Sequence, residues 1–96
     1  MDKTAVKLKI SGGVQGVGFR AYVARIAGNL GLSGSVRNLP DGTVEAVLQG
    51  SQDEVERGIQ FCRKGPPFSR VEDLQLTSHA VDDRLNGFEI DSSKIG

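Results

Sequence analysis

The hydrophobic period of this chain switches across a cluster of glycines, and the switch governs what the chain can fold into. Before the cluster, Val6, Leu8 and Ile10 alternate with Lys7, Lys9 and Ser11. That is the period of two of a strand with one buried face. After the cluster, Phe19, Tyr22, Val23, Ile26, Ala27 and Leu30 recur at helical spacing, and Gly31 supplies a C-terminal stop. Four glycines (Gly12, Gly13, Gly16 and Gly18) lie between the two patterns, and Arg20 follows them. Gly28 falls inside the predicted helix at a cost of roughly 1 kcal/mol relative to alanine. Close packing of that helix onto the sheet would account for it.

The remaining elements follow from their own signals. Leu32 to Arg37 reads as a second strand and Val44 to Gln49 as a third. Between them Asn38-Leu39-Pro40-Asp41-Gly42 forms a turn, with Pro40 presetting its own φ and Gly42 accepting a positive one. The two strands are expected to make an antiparallel hairpin. Ser51 and Glu54 have the spacing of a capping box, so a second helix starts there, runs through Val55, Ile59 and Cys62, and stops at Gly65-Pro66-Pro67. Val71, Leu74 and Leu76 suggest a fourth strand with a bulge at Asp73, and Gly87 to Ile90 a short last one. The order β-α-β-β-α-β plus a final strand predicts an α+β fold, a two-layer sandwich of the ferredoxin-like, split βαβ kind. Its sheet is expected to be antiparallel with both helices on one face. At 96 residues the chain suits one domain spanning 1–96, with a core over about 4–91 and a weakly held tail from Ser92 to Gly96.

Composition narrows the function. The chain has 12 basic and 12 acidic residues, a formal net charge of zero, which removes the global attraction to nucleic acid of a strongly basic domain. Cys62 is the sole cysteine and His79 the sole histidine, and neither has a partner nearby in sequence for metal binding or catalysis. With no secretory segment and no long apolar run, the expected compartment is the cytoplasm, with no membrane association.

The segment Val14-Gln15-Gly16-Val17-Gly18-Phe19-Arg20 admits four readings. Gly16 to Ala21 matches the dinucleotide pattern G-x-G-x-x-A, but no acidic residue stands at the ribose position, where the chain reads Ser35, Val36, Arg37, Asn38. Gly13 to Gly16 matches the G-x-x-G of an RNA-binding loop, which belongs between two helices, not between a strand and a helix. Strands Val6–Ser11 and Val44–Gln49 also lack the aromatics of a sheet-based RNA reader. A plain glycine turn explains the glycines but not the arginine, since a cation at a helix start opposes the helix dipole. An anion cradle explains both. Backbone N–H groups converge in a nest, the helix N-terminus adds donors, and the Arg20 fork binds two phosphate oxygens.

Two segments, Ser11 to Arg20 and Gly34 to Val44, carry paired motifs that resemble the acylphosphatase family, and Gly50, the second helix and Gly87 to Ile90 extend the likeness over nearly the whole chain. The resemblance implies an enzyme that hydrolyses the carboxyl-phosphate bond of small acyl phosphates, giving a carboxylate and inorganic phosphate. It implies no metal and no organic cofactor. Arg20 matches the family's phosphate-binding arginine. Gln15, Gly16, Val17, Gly18 and Phe19 match the loop whose backbone amides surround the phosphate. Asn38 matches the asparagine that positions the attacking water, and Thr43 a supporting threonine beside it. A monomer is expected, with inorganic phosphate as both product and competitor. Gly13 departs from the larger, often basic residue of many relatives, and Ser35 from a frequent aromatic. Two further readings stand beside this one. One is a non-catalytic phosphate-binding or interaction domain on the same scaffold. The other is the acylphosphatase-like domain of carbamoyl-transfer proteins, against which the chain is expected to end where the domain ends. Arg37 is expected on the opposite sheet face from Asn38, as a surface charge.

Overall fold

The computed structural model describes residues 2–92, so the tail expected to be weakly held lies, from Ser93 on, outside the described residues. Strand β1 (Thr4–Gly13) leads through the glycine loop into helix α1 (Phe19–Leu30), then β2 (Ser33–Asn38), β3 (Val44–Gly50), helix α2 (Gln52–Lys64), β4 (Arg70–Ser78) and β5 (Phe88–Asp91). The sheet order is β4-β1-β3-β2-β5. Each βαβ crossover therefore leaves room for one strand: β3 lies between β1 and β2, and β1 between β3 and β4. This is the split βαβ arrangement, with two helices on the sheet. Four strands are antiparallel, but β5 joins the edge parallel to β2, so the sheet is mixed.

The core forms where the two periods meet. Val6, Leu8 and Ile10 from β1, Val36 from β2 and Val44, Ala46 and Leu48 from β3 are buried with Val23 and Ala27 of α1 and Val55 and Cys62 of α2. The outward face is polar. There Arg37 pairs with Glu45 at 2.9 Å, as its register position anticipates. Ser35 also alternates outward from the buried Val36 and pairs with Val47, so its departure from an aromatic leaves the core untouched. Among the described residues no helix is long and apolar enough to cross a membrane.

Two local expectations are corrected. Gly28 does not mark close packing. It is exposed, and a Cβ built there meets nothing within 4 Å. The packed helical glycine is Gly58 in α2, where a Cβ would stand 2.9 Å from Leu32 and 3.1 Å from Leu48 side-chain carbons. The bulge lies one residue from Asp73. Ser11 pairs with Asp73 and Gly12 with Val71, which leaves Glu72 as the extra residue. Gly12, at φ 121°, sits against it so closely that a Cβ would clash with the Arg70 carbonyl.

Candidate active site

Register brings four pieces of chain to one end of the sheet. Ile10 and Asn38 both pair with Val44, so the pairings of β1 and of β2 with β3 both stop at the start of β3. Arg37 pairs with Asp91, so β5 ends there as well. The loop after β1 turns the chain back, and α1 begins at the same end.

The loop is anchored at both sides. Val14 is buried and its N–H donates to the Gly12 carbonyl (3.0 Å), while Phe19 is buried at the start of α1. Between them Gln15, Gly16 and Gly18 are exposed. Gly16 (φ 76°) and Gly18 (φ 78°) take positive φ, and Val17 and Phe19 do not. A Cβ on either glycine would meet nothing within 4 Å, so the backbone angle, and not lack of space, calls for glycine. Alternation of left- and right-handed residues turns successive N–H groups toward one point, the geometry of an anion nest. Gly13 is the last residue of β1, held by pairing with Arg70.

The two helices begin differently. Helix α2 has a full capping box: Glu54 N–H donates to Ser51 Oγ (3.2 Å), Ser51 N–H donates to Glu54 Oε1 (3.1 Å), and Asp53 and Glu54 occupy the first turn. Helix α1 has Gly18 at its N-cap, no side-chain cap and no acidic residue in its first turn. The protein thus leaves the positive end of α1 uncompensated, and Arg20 adds a guanidinium beside it. Arg20 is half-buried and its Nη1 donates to the Asp91 carbonyl at 3.4 Å, a long contact that uses one of five donors. Strand β5 therefore helps to position this arginine.

The β2–β3 turn is held by residues other than Asn38. Leu39 N–H donates to the Thr43 carbonyl (2.9 Å) and Gly42 N–H to the Leu39 carbonyl (3.1 Å). Asp41 Oδ1 accepts from both the Thr43 N–H (3.0 Å) and its hydroxyl (2.6 Å), and Asp41 Oδ2 meets Lys9 Nζ at 3.1 Å. The Thr43 hydroxyl and N–H, with Lys9, hold the Asp41 carboxyl down to about 2. Thr43 thus spends its hydroxyl on holding the turn. Asn38 is two residues beyond the buried Val36 and so shares its helix-facing side of the sheet. Among the described residues no hydrogen bond engages its side-chain amide.

The Gln15 side chain joins the two halves. Its Nε2 donates to the Leu39 carbonyl (2.8 Å) and to the Thr43 carbonyl (2.9 Å). The glycine loop is thereby tied to the turn that carries Asn38. The sequence offers Gln15 only as a backbone donor, and this bridge, with the parts of Asp41 and Lys9 in the turn, emerges only in the fold. The lone polar side chain in a loop of glycines and valines was the available signal. Phe19 and Val17 offer the loop their backbones while their side chains pack toward the core. Burial pushes the Cys62 thiol up to about 12, and the exposed His79 ring meets the carbonyl of Ala80 at 3.0 Å, so neither joins the site.

A run of positive-φ glycines, an uncapped helix start, an arginine and an amide at the end of a split βαβ sheet define a two-layer α+β domain with a candidate anion site. The acylphosphatase family profile matches residues 6–90. An acylphosphatase of Syntrophobacter fumaroxidans is 46% identical over 96 residues, covering 100% of this chain and 99% of that one. The chain belongs to the acylphosphatase family. Among solved structures, an acylphosphatase from Coxiella burnetii superposes with a TM-score of 0.88 at 33% identity, covering 94% of both chains. A full-length HypF in the phosphate- and nucleotide-bound form matches with a TM-score of 0.89 at 29% identity, over 98% of this chain and 12% of that one.

Proposed function

We propose that this chain is an acylphosphatase, hydrolysing the carboxyl-phosphate bond of small acyl phosphates, with its site split between the glycine loop and the β2–β3 turn. The backbone N–H groups of Gln15 to Phe19 and the Arg20 fork hold the phosphoryl oxygens. The Asn38 amide holds a water in line with the scissile bond. Attack forms a P–O bond to the water oxygen and breaks the P–O bond to the acyl group. The carboxylate leaves with the bonding pair, and the water proton ends on the released phosphate. A carboxylate is a good leaving group, so positioning and charge stabilisation carry the reaction with little acid assistance.

The observation that carries this reading is the Gln15 bridge, which ties the anion-receptive loop to the turn bearing the uncommitted Asn38 amide. The test is turnover of benzoyl phosphate. Arg20→Ala should lose roughly 3 kcal/mol or more of transition-state stabilisation, about 10²–10³ in rate. Asn38→Ala should lower kcat while leaving phosphate competition in place, and near-normal turnover of that variant would remove Asn38 from the mechanism. Phosphate binding without turnover in the unaltered chain would favour the non-catalytic reading. The same proposal holds the protein to be a cytoplasmic monomer inhibited competitively by inorganic phosphate. Sedimentation and product-inhibition kinetics test the last two.

A further inference from the structure

The helical layer carries a second concavity that the phosphate chemistry does not use. It lies between α1 and α2, closed at one end by the 65–69 connector, and holds about 810 Å³. That volume falls within the roughly 300–1,000 Å³ of small-molecule sites, which often lie between helices. Tyr22 and Ile26 line it from α1 and Phe61 from α2. Tyr22 Oη donates to the Phe61 carbonyl (2.9 Å), so the phenol is satisfied and its ring is left as apolar wall.

Three features make this more than a gap between helices. First, Arg57, Phe61 and Lys64 follow one another at helical spacing along the α2 side, so a 43% exposed phenyl ring stands between two cations. Arg25 faces them from α1, its guanidinium 5.8 Å from the Tyr22 ring centroid. Second, no acidic residue lines the groove, and among the described residues none lies in ion-pair contact with Arg25, Arg57 or Lys64. In a chain of zero net charge this is a local excess of positive charge over an apolar floor. Third, Phe68 stands at the rim, 96% exposed, and is the one non-glycine residue with positive φ (71°) among those described. A bulky residue in that conformation carries strain. Nothing the side chain touches within the fold offsets it.

We propose that this groove binds a small amphipathic carboxylate, the hydrocarbon or aryl body lying on Tyr22, Ile26 and Phe61 under Phe68, and the carboxylate head meeting Arg57, Lys64 or Arg25. Charge complementarity selects an anion, the aromatic wall selects an apolar body, and the volume selects a small molecule. The proposal does not depend on the catalytic reading, because none of these side chains belongs to the loop or the turn.

The test is an amide-shift titration of the intact chain with dodecanoate below its micelle concentration, beside acetate and an uncharged alkyl glucoside. Dodecanoate should produce saturable shifts at Tyr22, Ile26, Phe61 and Phe68, acetate none, and the glucoside binding weaker by about tenfold or more. The double variant Arg57→Glu/Lys64→Glu should weaken dodecanoate by at least about tenfold while keeping the circular dichroism of the fold. Phe68→Gly, which relieves the positive φ and so keeps the fold, should also weaken it. Shifts confined to other residues, equal binding of the glucoside, or no effect of the charge reversal would overturn the proposal. So would shifts of the same amides on raising protein concentration alone, which would make the groove a contact between copies of the chain.

Discussion

Replacing Gln15 by methionine separates two things that the bridge does. Methionine keeps the length of the side chain and removes the donor. Two hydrogen bonds disappear, which at about 1 kcal/mol each would suggest a loss near 2 kcal/mol. The structure argues for less. The Leu39 carbonyl still accepts from Gly42 N–H and the Thr43 carbonyl from Leu39 N–H, so neither is orphaned. Gln15 itself is exposed, so water replaces the lost donor. The expected stability loss is about 1 kcal/mol or less, a fall in Tm of up to roughly 4–8 °C for a domain of this size. Catalysis should suffer more, because the loop and Asn38 lose their mutual registration, and a misplacement of about 1 Å costs on the order of 10²-fold. The assay is benzoyl phosphate turnover beside the inhibition constant for inorganic phosphate. The nest and Arg20 remain, so kcat should fall by about 10- to 100-fold while phosphate inhibition barely changes. An unchanged kcat would refute the registration argument. A proportional loss of phosphate affinity would also refute it, showing that the bridge shapes the nest itself.

Other consequences follow from single residues. Cys62 is buried with its thiol pushed up to about 12, so a disulfide reagent at pH 8 should label it only at the rate of global unfolding, and fast labelling of the native protein would contradict the packing of α2. The raised pKa also removes stability as pH climbs from the ordinary 9.0 toward 12, because only the unfolded thiol ionises in that window. Asp41 titrates the other way. Its folded pKa lies near 2 against an ordinary 3.8, so its support of the turn is intact above about pH 4 and is lost as pH falls toward 2. Amide shifts of Thr43 should follow that window, and Asp41→Ala should abolish it. Gly28→Ala should stabilise by about 0.5–1 kcal/mol, whereas Gly58→Ala should destabilise by about 1 kcal/mol or more as its Cβ presses on buried Leu32 and Leu48. Equal gains in denaturant unfolding would show that these leucines yield freely.

Much of the architecture is legible along the chain because its signals are local. Alternation in Val6-Leu8-Ile10, the Ser51/Glu54 box and the Gly31 stop each depend on residues within one turn or one strand, and each appears where the pattern puts it. The parallel pairing of β5 was not legible. Gly87 to Ile90 reads only as a strand, and its direction depends on how the 79–87 segment crosses the molecule. There Gln49, buried on β3, donates to the Asp82 carbonyl and accepts from its N–H. The two helical glycines differ in what lies beneath them: Leu32 and Leu48 pack under Gly58, and a Cβ on Gly28 meets nothing within 4 Å.

The site divides along the same line. The sequence alone marked the candidate anion half: the glycines from Gly12 to Gly18, the helix start that follows them and Arg20 in its first turn lie together in the chain. The tertiary structure alone decided that Gln15 reaches across to Leu39 and Thr43, and that β5 brings the Asp91 carbonyl to Arg20. These contacts join residues 24 to 71 positions apart. Chain closure over such distances is set by sheet register and packing, which no local pattern encodes.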